Sequence, residues 1–244
     1  STPNPTLNQA CGLDIALVID NSTSIDSSDM TQIKNAMTAF VNALNGTPTQ
    51  FSVTRFATTA SVVRTFTSDI SSVTSAINSI PVGGGYTNWQ DGLTKALSTF
   101  DGDRADIPDL IIFASDGNPN RTGASGVSVN EAQAVADAVM VANSIKDQDI
   151  RVLALGVGAD LDTANLIAIS GSNLNTGNVL TSDVITTDFS TLAAQLYTFA
   201  SQTCGGTISV NKYYDQVGEM YRGGSGWIFN VAGSTVNCFT NKMI

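Results

Sequence analysis

Three short runs, Leu13–Ile19, Leu110–Ser115 and Ile150–Val157, are almost unbroken stretches of apolar residues. A strand with water on one face alternates in polarity, whereas one covered on both faces does not. Between these runs, apolar residues recur every three or four positions, the spacing of a helix with one buried face. One such series is Met30, Ile33, Met37, Phe40, Val41 and Leu44; another is Ile70, Val73, Ile77 and Ile80, closed by Pro81, which cannot continue a helix. Trp89, Leu93, Ala96, Leu97 and Phe100 form a third, and a fourth helix is expected from about Glu131 to Lys146. Ser27 or Ser28 is placed to cap the first helix, with Asp29 at its positive end. Alternating buried strands and helices predict an α/β fold, a doubly wound and mostly parallel sheet with helices on both faces. Phe51–Ala57 and Ala60–Phe66, split by Thr58-Thr59, read as a hairpin, which makes one edge strand antiparallel. A short helix near Thr163–Ile169, a brief strand near Val179–Leu180 and a last helix carrying Phe189, Leu192, Ala193, Leu196, Phe199 and Ala200 complete this unit.

The first domain is therefore expected over residues 11–204. After it the pattern changes. Thr207–Tyr214 alternates with period two, Trp227–Ala232 is a second candidate strand, and Gly223-Gly224-Ser225-Gly226 separates them. Residues 205–244 thus read as a β-strand extension, the start of a second domain, because two strands alone are marginal. The chain ends in strand-like material at Asn241–Ile244, so targeting or anchoring segments are expected outside it.

The balance of 11 basic against 21 acidic residues, a net charge of -10, argues against a broad phosphate-binding surface and so against nucleic acid as a partner. No apolar run approaches the roughly 18 residues of a membrane-spanning helix, so no direct membrane insertion is expected of this sequence. Cys11 precedes the first strand and Cys204 follows the last expected helix. A bridge between them would clasp the ends of the domain and imply an oxidising compartment; the alternative is two free buried thiols. Cys238 is left without an assigned partner.

Function is written in three loops. Asp20-Asn21-Ser22-Thr23-Ser24 follows the first apolar run, placing one carboxylate and two hydroxyls at alternate positions. Thr87 lies in Gly83-Gly84-Gly85-Tyr86-Thr87-Asn88-Trp89, and Asp116 follows Leu110–Ser115. Singly, each has an ordinary reading as a cap or turn residue, Asp116-Gly117-Asn118-Pro119 as a β-turn above all. Jointly they make an oxygen-only donor set at the carboxyl ends of parallel strands, where open α/β sheets bind ligands. Such oxygens suit Mg²⁺, or else Ca²⁺ or Mn²⁺, whereas zinc would usually recruit His or Cys, and this chain has no His. That lack also excludes a Ser-His-Asp triad. Gly156-Val157-Gly158 does not supply the third glycine of a dinucleotide loop. The sequon Asn21-Ser22-Thr23 falls inside the metal loop, where a glycan would be ruinous.

The D-x-S-x-S motif at Asp20–Ser24, the threonine of Gly-Tyr-Thr-Asn-Trp and Ser115-Asp116-Gly117 together resemble the von Willebrand factor A domain and its metal-ion-dependent adhesion site. The resemblance covers about Cys11–Cys204. It implies Ser22, Ser24 and Thr87 as direct metal ligands, Asp20 and Asp116 acting mostly through water, and coupling of the ion to movement of the last helix. It further implies an extracellular or cell-surface adhesion module that binds a protein or glycan through the ion, without enzymatic activity. Tyr86, Asn88, Asn118 and Arg121 are then candidates for ligand contact, with Arg121 available for a second acidic group. The alternative is an assembly or structural A domain, at a pilus tip or in a large surface protein, whose ion is mainly structural. A metal-dependent hydrolase is disfavoured because no general base beside the ion is identifiable. The segment after Cys204 is similar to the first strands of Cna-B or prealbumin-like modules, in which a first-strand lysine, here Lys212, can form an isopeptide bond.

Overall fold

The computed structural model describes residues 2–6, 12–102, 104, 107–156, 161–177 and 181–186, together with four C-terminal strands. At the centre of the first unit, β1 (Asp14–Asp20) is buried along its whole length. It runs parallel to β2 (Gln50–Phe56) on one side and to β4 (Asp109–Ser115) on the other. β3 (Ala60–Thr67) pairs antiparallel with β2 at one edge, while β7 (Arg151–Gly156) and β8 (Val184–Thr186) continue the parallel sheet beyond β4. The order is β3-β2-β1-β4-β7-β8. The sixth strand thus begins after the position expected for it; Val179 and Leu180 lie outside the described residues, as do Cys11, Cys204, Cys238, Lys212 and the expected last helix.

Side-chain parity divides the core into two layers. Ile15, Leu17 and Ile19 of β1, with Leu110, Ile112 and Ala114 of β4, pack against α1 (Ser27–Ala43) and α2 (Ile70–Asn78). Ala16, Val18, Ile111 and Phe113 point the other way, towards α3 (Trp89–Leu97), α4 (Glu131–Lys146) and α5 (Thr163–Ile169). Because both faces are covered, neither strand can alternate in polarity. Phe113 is fully buried, stacked on Phe56 at 5.0 Å and meeting Trp89 edge-on at 5.5 Å. Truncating such a residue to Ala typically costs about 3–5 kcal/mol.

Local chemistry sets the ends of the helices. Asp26, not Ser27 or Ser28, caps α1: its Oδ1 accepts from Ser28 N at 2.7 Å and Asp29 N at 2.9 Å. α3 tightens after Leu97 into a 3-10 turn over Ser98–Phe100, so the expected single helix has two parts. A small hairpin, β5 (Arg121–Thr122) with β6 (Val127–Ser128), was not expected from the sequence. At the end of the sheet remote from the carboxyl ends of the strands, Arg151 pairs with buried Asp183 at 2.8 Å, and the side chain of Asn4 hydrogen-bonds both Val152 N and Val152 O.

Residues 206–244 form a separate unit. Within it, β9 (Tyr213–Gln216) pairs antiparallel with β10 (Glu219–Arg222), and β11 (Ile228–Val231) with β12 (Ser234–Asn237). The first strand expected here is therefore described only in its last two residues, Tyr213 and Tyr214, and the second corresponds to β11.

Candidate metal centre

The chain leaves β1 for β2 on one side and returns to β4 on the other, so strand order reverses between β1 and β4. In doubly wound sheets that reversal opens a crevice beyond the carboxyl ends of the strands. Ile19 is in register with Ala114, which sets Asp20 beside Ser115. Both continue the parity that faces α3. Ser115 Oγ donates to Asp20 Oδ2 at 2.6 Å and accepts from Trp89 Nε1 at 3.2 Å. Asp20 Oδ1 accepts from Ser22 N at 2.8 Å, which bends the loop back over the strand end. Ser115 and Trp89 were part of the sequence motifs, but their role in holding Asp20 follows from register and parity.

Ser22, Ser24 and Asp116 join this carboxylate in one chain of hydrogen bonds. Ser22 Oγ lies 3.0 Å from Ser24 Oγ, and Ser24 Oγ donates to Asp116 Oδ1 at 2.8 Å. The glycine loop meets the first loop directly, with Gly84 N donating to Asn21 O at 2.7 Å and Thr23 N to Gly85 O at 2.8 Å. A Cβ on Gly84 would stand 2.7 Å from both Ala57 Cβ and Asn21 Nδ2, so this approach requires glycine. The third loop holds Thr87 by its backbone: Asn120 Oδ1 accepts from Thr87 N at 3.2 Å, while Asn120 N and Arg121 N donate to Thr87 O at 2.9 and 3.1 Å. Backbone and side-chain hydrogen bonds thus tie the three loops to one another.

The electrostatics favour a cation. Asp20 is fully buried, and the groups that bond it, the hydroxyls of Ser115 and Ser22 and the backbone N–H of Ser22, are all neutral. Burial pushes its carboxyl up to about 7; the bonds from Ser115 and Ser22 oppose the shift, and the Asp116 charge adds to it. An unpaired buried carboxylate is costly, and a divalent ion beside it would offset that cost. No three His, Cys, Asp or Glu side chains cluster among the described residues. The donor set is one of hydroxyls and two carboxylates, which fits a hard cation and leaves zinc the less natural occupant. Ser22 is nearly buried whereas Ser24 is exposed, so the set opens to solvent on one side.

The four candidate contact residues separate. Tyr86 is exposed, and Arg121 lies over its ring at 3.4 Å. Asn88 is fully buried: Oδ1 caps α3 by accepting from Asp91 N at 3.1 Å, and Nδ2 donates to Thr58 O at 3.1 Å and Gly123 O at 2.9 Å. Its groups are spent on positioning loops, which corrects the expectation of ligand contact. Asn118 Oδ1 likewise accepts from Asp162 N at 3.0 Å and Asn165 Nδ2 at 3.2 Å, tying the metal loop to the start of α5. Thr58, in the β2–β3 turn, is a residue that sequence reasoning missed, as is the part Asn120 plays in holding Thr87. Hydrophilic turn positions carry no signal that separates a loop tie from a solvated side chain.

Solved structures with this fold include proximal thread matrix protein 1 from the mussel byssus, at 24% identity and TM-score 0.62, covering 81% of this chain and 47% of that one. The same mussel protein has been solved with a zinc-occupied metal-ion-dependent adhesion site. The pilus adhesin SpaC of Lactobacillus rhamnosus GG matches at 16% identity and TM-score 0.63, over 82% of this chain and 31% of that one. The pilus tip protein Mfa5 of Porphyromonas gingivalis contributes a domain that matches at 13% identity and TM-score 0.61, over 82% of this chain and 98% of that one. The chain therefore spans about half the length of the mussel protein, and at these identities the likeness is one of fold. No curated protein sequence matches it significantly. The family model for the von Willebrand factor type A domain matches residues 14–195, and the chain belongs to that family.

Proposed function

We propose that this domain binds an extracellular partner, protein or glycan, through a divalent cation held by Ser22, Ser24 and Thr87, with Asp20 and Asp116 balancing its charge largely through water. Mg²⁺ fits best, since it retains water and accepts hydroxyl and carboxylate oxygens; Ca²⁺ and Mn²⁺ suit the same donors. The observation that carries this reading is Asp20, a fully buried carboxylate bonded by neutral donors at the mouth of a crevice. The ion supplies an electrophilic point for an acidic group of the partner. The protein supplies the frame: Ser115 and Trp89 fix Asp20, and Asn120 fixes Thr87. The role we infer is binding.

A second reading, assembly into a fibre or pilus with the ion mainly structural, is supported by the byssus thread protein and the pilus tip protein among the structures of like fold. The C-terminal strands suit the start of a further β module in either case. Adhesion to immobilised matrix proteins and glycans, measured in Mg²⁺ and in EDTA, separates the two. The adhesion reading expects binding to vanish in EDTA and to fall when Thr87 becomes Ala. Binding that survives both would place the contact on another face.

A further inference from the structure

Arg121 is the one basic residue in the three metal-site loops, residues 20–25, 83–88 and 116–122. Its backbone N–H bonds Thr87 O at 3.1 Å, and its guanidinium lies over the ring of Tyr86, the residue before that candidate metal ligand. A guanidinium there repels a divalent cation and weakens its binding. Arg121 takes part in neither of the ion pairs made between described residues, Arg104–Asp14 and Arg151–Asp183. It is nevertheless held in place. The guanidinium carbon lies 3.4 Å from the centroid of the Tyr86 ring, and Nη1 donates to Asn120 O at 2.7 Å. A flat fork fixed over an aromatic face, with most of its donors uncommitted, is suited to a planar oxyanion.

The geometry points to a two-point receptor, in which the cation takes one carboxylate of a protein ligand and Arg121 takes a second, neighbouring carboxylate. This rests on the metal-dependent reading above and narrows it to a peptide segment with paired acidic side chains. A polyanionic glycan is disfavoured by two observations. The chain's net charge of -10 repels a long run of negative charge. Tyr86 of the glycine loop and Val127, in the strand β6 that pairs with Arg121–Thr122, are each more than half exposed, offering apolar surface that a peptide can cover.

The test uses the whole protein and short synthetic peptides bearing leucines and either one glutamate or two, spaced one to three residues apart. In Mg²⁺, a paired peptide should bind about tenfold more tightly than the single one. Arg121→Gln should erase that preference while tightening Mg²⁺ binding measured by calorimetry without peptide, because a like charge is removed. Arg121→Lys, which keeps the charge and loses the fork, should retain part of the preference, and thermal melting checks that each variant is folded. Equal binding of the two peptides, or a preference that survives Arg121→Gln, overturns this inference and leaves the metal-dependent reading intact. Peptide binding indifferent to EDTA, or no peptide binding by the Mg²⁺-loaded protein, overturns both.

Discussion

Asp20 shows how much one side chain can ask of its surroundings. Its carboxyl, ordinarily near 3.8, is pushed up to about 7 by burial, so between those pH values the folded chain holds a proton that the unfolded chain has released. Linkage then fixes the sign: without metal, this group weakens the fold as pH rises from about 4 to about 7. A cation must displace that proton, so Mg²⁺ affinity should climb through the same window and level off above it. Melting curves with Mg²⁺ and with EDTA, taken from pH 5 to 8, should show the metal-dependent stabilisation growing with pH; a gain that shrinks with pH would contradict this. Ser115→Ala removes the 2.6 Å bond to that carboxylate, and hydrogen bonds to charged groups are worth about 1.5–3 kcal/mol. Calorimetry should therefore find metal affinity reduced at least tenfold. An affinity within twofold of the parent would show that Ser115 is incidental.

At the scale of elements, what periodicity and capping chemistry encode was legible, and what only burial decides was not. α4 at Glu131–Lys146 and α5 at Thr163–Ile169 match their expected bounds because apolar spacing and flanking polar residues agree there. The α1 cap was misplaced by one or two positions because Asp26, Ser27 and Ser28 are all competent caps, and the earliest one reaches both free N–H groups. Asp26→Ala should cost about 1 kcal/mol in urea unfolding, with no change in metal titration. The β5–β6 hairpin escaped notice because two-residue strands have no period to read. Asn88 looked like a ligand contact because it neighbours Thr87 in sequence, and nothing in a linear chain says that its amide is buried between Thr58 O and Gly123 O. Replacing it by Ala leaves those carbonyls and Asp91 N without their partner, at a cost of about 1–3 kcal/mol, and should loosen metal binding by shifting the glycine loop. Unchanged stability and unchanged metal affinity in Asn88→Ala would refute the positioning role.

Across the whole molecule, the fold does one thing for the site: register and parity bring three loops, far apart in sequence, to the reversal point of a rigid sheet. The motif residues were visible in the sequence because their types and order matched; their supports were not, because Trp89–Ser115–Asp20 is a contact across layers. The expected Cys11–Cys204 bridge belongs to the same scale. Closing so long a loop is worth about 4–5 kcal/mol in the chain-entropy model, and non-reducing peptide mapping should recover the linked pair. Recovery of both cysteines alkylated would count against it. Whether Asp20, Ser22, Ser24, Thr87 and Asp116 hold a divalent cation is decided by calorimetric titration of Mg²⁺ and Mn²⁺ into metal-stripped protein, beside Asp20→Asn. That variant keeps the shape of the side chain and removes the charge that burial makes costly. The parent protein should show one site and Asp20→Asn no measurable site, and the metal-free melting temperature of the variant should be no lower than the parent's at pH 7.5. Equal binding by the two proteins would contradict that assignment.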